Sequence, residues 1–124
     1  VYMEGNYFIT ITGLNHYYDK RPFEVGRILK IVKEPENEYD QEAIRVELPY
    51  IGTVGYVANS PSTVFRGTIS SGRLYDSIGD YAYAQVCFIT HSSVIALVLS
   101  PDEVGENLKE EEIQEMVEKL KKMK

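Results

Sequence analysis

The chain reads as mainly β, a closed or nearly closed six-stranded β-barrel with short helices and an added C-terminal amphipathic helix. Three observations predict this: six stretches of strand chemistry, short turn-marked connections between them, and a helical period confined to the last two dozen residues. With 124 residues and 44% hydrophobic content the chain can bury one good core, whereas two domains would leave neither enough interior. Residues 1–100 are therefore read as the barrel domain and residues 101–124 as a helical extension.

"YFITIT" (7–12) is β-branched and aromatic, and "GLNHYYDKRPF" then reads as a long loop from its Gly, Asn, Asp and Pro. "EVGRILKIVK" (24–33) resumes strand chemistry. "EPENEYD" (34–40) is a turn: Pro35 presets φ, Asn37 tolerates a left-handed conformation, and Asp40 can accept from backbone amides just beyond it. In "AIRVEL" Ile44, Val46 and Leu48 alternate with Arg45 and Glu47, the period of a half-buried strand. "PYIG" turns the chain into "TVGYV". "NSPSTVFRG" predicts a short helix with Ser60 as cap and Pro61 at its first position, while "SSGRLYDSIGD" reads as either a helical turn or a loop. "YAYAQVCFI" and "VIALVL", joined by "THSS", complete the strand set. In the tail, Ile113, Met116, Val117 and Leu120 fall at helical spacing, with Glu110 to Glu112 at the start and lysines at the end, as the helix dipole favours. That apolar stripe either docks on the barrel or meets another chain, a protein partner or a second copy.

Composition excludes several function classes. The single Cys87 lies in an apolar run and reads as a small buried hydrophobe in a reducing compartment. No run approaches the roughly 18 apolar residues of a membrane helix, and the amino terminus lacks a signal-peptide pattern, so a cytoplasmic location and no membrane partner are expected. One Cys and two separated histidines offer no zinc spacing, and the acidic turn lacks the Gly and closing Glu of an EF-hand loop. Neither G-x-S-x-G, a P-loop nor a Cys–His arrangement is present, so the sequence suggests no enzyme, no metal and no cofactor. The net charge of −6 argues against generic nucleic-acid binding, which draws its affinity from Lys and Arg. That charge divides evenly, −3 on residues 101–124 and −3 on residues 1–100, which leaves room for a local basic surface.

Two features remain. Five carboxylates (Glu34, Glu36, Glu38, Asp40, Glu42) crowd around Tyr39, more polarity than a strand connection needs. The chain also carries ten Tyr, among them Tyr17 and Tyr18 beside His16, Tyr39 in the acidic turn, and Tyr56 in a strand. Aromatic faces that stack on bases hold single-stranded nucleic acid, and tyrosines equally serve core and edge packing.

The order "ITGLNHYY", "VGRILKIVKEPENEYDQEAIRV", "GTVGYVANS" resembles the HIRAN domain, a module of helicase-like transcription factor and related remodellers that also occurs as small stand-alone bacterial proteins. The resemblance covers roughly residues 7–99. It implies a small barrel related to OB folds, a non-catalytic role in binding single-stranded DNA, capture of a free 3′-hydroxyl end, and a setting in DNA repair. In that family the carboxylate matching Asp40 accepts from the terminal hydroxyl, the aromatic matching Tyr39 forms part of the pocket around the last nucleotide, and Asn37 matches a polar residue of the same pocket. Tyr56 lies in the matching Val-Gly-Tyr run. The departures are equally specific. "NHYY" replaces an Arg-Tyr pair with one extra residue, leaving His16 or Tyr17 to supply a stacking face, and Asn59 stands about where the family has a phosphate-binding lysine. Lys20, Arg21, Arg66 and Arg73 are the candidate replacements. The competing expectation is a protein-interaction or self-association module that has lost DNA binding, in which Asp40 merely caps the turn and Tyr39 packs beneath it.

Overall fold

The computed structural model describes residues 7–99; the predicted helix and domain extension over 101–124 lie outside the described residues. Within them the chain runs β1 (Phe8–Thr12), β2 (Ile28–Lys33), β3 (Ile44–Leu48), β4 (Gly52–Val57), α1 (Ser71–Tyr75), β5 (Tyr81–Ile89) and β6 (Val94–Leu99), with a single 3-10 turn at Leu14–His16. The strands close into an antiparallel barrel in the order β1-β4-β3-β2-β5-β6, sealed where β1 pairs with β6.

Alternation does most of the building. On β3, Ile44, Val46 and Leu48 point inward and Arg45 and Glu47 outward, as period 2 requires. Ile9, Ile11, Leu29, Ile31, Val54 and Val86 join them from the other strands, each at most 1% exposed. Each such side chain contributes about 1.5–3 kcal/mol by burial. Two bulges break the alternation. One sits in β4 opposite Val46/Glu47, and the other in β5 between Val86 and Phe88.

Several local expectations are corrected. The second strand begins at Ile28 rather than at residue 24, because Gly26 turns the chain at φ 92° and Arg27 N–H closes back on Glu24 O. Residues 60–64 make one turn and no helix: Val64 N–H reaches Ser60 O, but the next amide, Phe65 N–H, donates to Thr10 Oγ1 on β1. The helix forms instead at Ser71–Tyr75, where Ser70 Oγ accepts from Arg73 N–H. Cys87 is half-buried rather than buried, since it is the extra residue of the β5 bulge. Asn37 does not adopt a left-handed conformation; among described non-glycine residues Asp19 and Tyr50 do. No helix among the described residues is long and apolar enough to cross a membrane.

Candidate nucleic-acid interface

The acidic turn is a closed hydrogen-bonded loop. Asn37 N–H donates to Glu34 O at 3.0 Å, and Glu34 N–H donates to Ala43 O at 2.9 Å, tying the two ends of the loop together. Asn37 organises the interior through its side chain: Oδ1 accepts from Tyr39 N–H (2.9 Å) and Asp40 N–H (3.0 Å), while Nδ2 donates to Glu34 Oε1 (2.9 Å). This explains why a left-handed backbone is unnecessary, because the amide group itself replaces a backbone turn.

Asp40 is fixed from two sides. Its Oδ1 accepts from Glu42 N–H at 2.9 Å, and its Oδ2 accepts from Asn59 Nδ2 at 2.9 Å. Asn59 is fixed in turn, since its Oδ1 accepts from Gly72 N–H in the first turn of α1. At Gly72 a Cβ would stand 2.8 Å from Glu42 Oε1 and 3.1 Å from Asn59 Oδ1, so a larger residue would require the exposed Glu42 side chain to move. Asn59, expected from the resemblance to stand about where the family has a phosphate contact, serves here as a strut between helix α1 and Asp40. A carboxylate offers about four lone-pair positions, so each Asp40 oxygen keeps one for an incoming hydroxyl. Tyr39 does not pack beneath the turn; its side chain stands in solvent, 96% exposed.

The second part of the surface is the first loop. Gly13, at φ 72°, lets the chain leave β1, and Leu14 anchors the loop in the core. Leu14 can reach β4 only because position 55 is glycine: a Cβ there would meet Ile11 Cγ2 and Thr12 O at 2.9 Å and Leu14 Cδ2 at 3.0 Å. The close approach brings the Tyr17 ring to 6.4 Å from the Tyr56 ring, tilted by 39°. His16 and Tyr17 are both exposed. Tyr56 belongs to a cross-strand row on the outer face, between Thr12 on β1 and Arg45 on β3.

Glu34 links the two parts, a role that sequence reasoning missed. Tyr56 OH donates to both Glu34 oxygens at 3.0 Å, and Arg45 approaches Oε2 at 3.5 Å. Burial, followed by the hydrogen bond to Glu34 and its charge, pushes the Tyr56 hydroxyl well above the usual tyrosine range. The hydrogen bond to Glu47, at 3.1 Å, is the main cause that raises Arg45. The sole sequence signal for Glu34 was its place directly after a strand and before Pro35.

The candidate cations differ in what they can offer. Lys20 donates to Thr90 O and His91 O, clamping the first loop to the β5–β6 turn, and Arg45 lies between two carboxylates. Arg21, Arg66 and Arg73 are exposed. Arg73 directly follows Gly72, the residue whose amide holds Asn59.

The HIRAN domain family matches residues 4–82. Among solved structures, the crystal structure of the HIRAN domain of human HLTF superposes with a TM-score of 0.52 at 18% identity, over 96% of this chain and 88% of that one. The likeness shows a shared fold. The comparison with curated proteins gives no match. With well over half of its length matched, this chain belongs to the HIRAN domain family.

Proposed function

We propose that this HIRAN domain is a non-catalytic module that binds single-stranded DNA and reads the free 3′-hydroxyl end. Asp40 accepts from the terminal hydroxyl. Asn37 and Asn59 hold it in place, and Tyr39, Tyr17, His16 and Tyr56 offer aromatic faces to the last bases. The observation that carries this reading is the pairing of a doubly tethered, partly open carboxylate with a fully exposed tyrosine one residue before it.

The chemistry distinguishes ends. An internal or phosphorylated position presents phosphate where the free end presents a hydroxyl, and a carboxylate repels the first while accepting from the second. Such a charge-assisted hydrogen bond is worth about 1.5–3 kcal/mol. Stacking adds about 1–3 kcal/mol per base without regard to sequence. Lys20 and Arg45 are committed within the chain, so phosphate contacts fall to the exposed Arg21, Arg66 and Arg73.

The test is a fluorescence titration at low salt with one oligonucleotide carrying either a 3′-hydroxyl or a 3′-phosphate. Preference for the hydroxyl end supports the proposal. Equal binding of both ends contradicts end reading, and no binding of either near ~50 mM salt, where phosphate contacts are still strong, moves the reading to a protein-interaction module.

A further inference from the structure

We propose that Glu34 is a positioning residue that locks the stacking tyrosine Tyr56 and the turn carrying Tyr39 and Asp40 into one geometry; its consequence for DNA rests on the reading above. Glu34 stands just after β2 with its side chain 20% exposed. Its Oε1 accepts from Tyr56 OH at 3.0 Å and from Asn37 Nδ2 at 2.9 Å, and its Oε2 from Tyr56 OH at 3.0 Å. Asn37 in turn accepts from the Tyr39 and Asp40 amides. A continuous set of hydrogen bonds therefore runs from the outer face of β4 to the backbone of the two residues that meet the nucleotide.

A simpler role, countercharge for Arg45, accounts for less. Arg45 reaches Glu34 at 3.5 Å, the limit of a hydrogen bond, and has a shorter partner in Glu47 at 3.1 Å. What the site requires of position 34 is acceptance from a phenol and a carboxamide at once. A carboxylate has acceptors on both arms, whereas an amide of the same shape has one acceptor arm and one donor arm. Glu34→Gln can keep its oxygen on Asn37 and turn its NH2 to the Tyr56 hydroxyl, which also accepts, so Glu34→Ala, which removes both acceptors, is the sharper probe.

The experiment uses the full chain without DNA first. In Glu34→Ala, hydrogen exchange at the Tyr39 and Asp40 amides should speed up by about fivefold, as expected for one lost hydrogen bond of ordinary strength, while Ile31 and Val46 in the barrel keep their rates. The Tyr56 hydroxyl should titrate at lower pH. Tyr56→Phe, which leaves Glu34 in place, should speed the same two amides by a smaller factor, and Arg45→Gln should leave them unchanged. Unaltered exchange at Tyr39 and Asp40 in Glu34→Ala overturns the proposal, as does equal acceleration at Ile31 and Val46, or an Arg45→Gln effect as large as that of Glu34→Ala. With oligonucleotides, Glu34→Ala should shrink the preference for the hydroxyl end over the phosphate end by about fivefold, a hydrogen bond's worth; an unchanged preference also overturns it. If the unmodified protein binds neither oligonucleotide, the DNA-binding reading fails, and the exchange rates alone decide the role of Glu34.

Discussion

Asn59 donates from Nδ2 to Asp40 Oδ2 at 2.9 Å while its Oδ1 takes the Gly72 amide at the same distance, so a single side chain ties the acidic turn to the start of α1. Removing it should cost about 1–3 kcal/mol, because the Gly72 amide and one Asp40 lone pair lose their partner together. Denaturant titration of Asn59→Ala checks the size. Asn59→Asp should be worse at neutral pH, where it sets two carboxylates against each other, and should recover part of its stability as acid protonates one of them.

Gly55→Ala should be the more damaging of two glycine substitutions. Its Cβ would strike Thr12 O and the buried side chains of Ile11 and Leu14, at a cost of about 1–3 kcal/mol for overpacking, and the first loop with Tyr17 would shift. At Gly72 the nearest atom is the Glu42 carboxylate, the far end of a flexible side chain on an exposed residue, so Gly72→Ala should be milder. Thermal melts of the two variants give the order, and equal losses would contradict it.

The barrel was legible in the sequence because alternation and turn residues state it locally. β5 and β6 begin and end where the strand chemistry does, and Ile44, Val46 and Leu48 face the core as their spacing demands. What local reading missed depends on contacts distant in sequence. The Phe65 amide stops a helix at residues 60–64 by donating to Thr10, 55 residues away. The bulge that leaves Cys87 half-buried exists only against β6. In the candidate site, Asn37, Asp40, Tyr56 and Asn59 belong to one connected network, but the carboxylate joining Tyr56 to Asn37 is Glu34, whose partner lies 22 residues on in β4.

Tyr56 gives the fold a dependence on alkaline pH. The folded protein holds the Tyr56 proton more tightly than the unfolded chain does, mainly through burial and then through Glu34. The resulting stability is complete below the ordinary tyrosine value of about 10 and is lost as pH rises above it toward the raised folded value. The denaturation midpoint should therefore fall above about pH 10, and it should fall less steeply in Tyr56→Phe.

Tyr39→Ala should separate binding from stability. With its side chain 96% exposed, Tyr39 contributes little to packing, so its loss should change stability by no more than about 0.5 kcal/mol. Binding of single-stranded DNA should weaken by about 1–3 kcal/mol for hydroxyl and phosphate ends alike, since stacking ignores the terminus. A large drop in melting temperature would assign Tyr39 a structural role instead.

Asp40→Asn tests end reading most directly. The substitution keeps the size and one acceptor oxygen but removes the charge that attracts a hydroxyl proton and repels a phosphate. Thermal melts come first, since Asp40 also accepts from the Glu42 amide and loss of such a turn bond costs about 0.5–2 kcal/mol. For folded protein, the quantity to measure is the ratio of dissociation constants for the 3′-phosphate and 3′-hydroxyl forms of one oligonucleotide, before and after the substitution. The account predicts a ratio well above unity for the unmodified protein that falls by about tenfold or more in Asp40→Asn, in line with the loss of a charge-assisted hydrogen bond. A ratio that is the same in both proteins would contradict it.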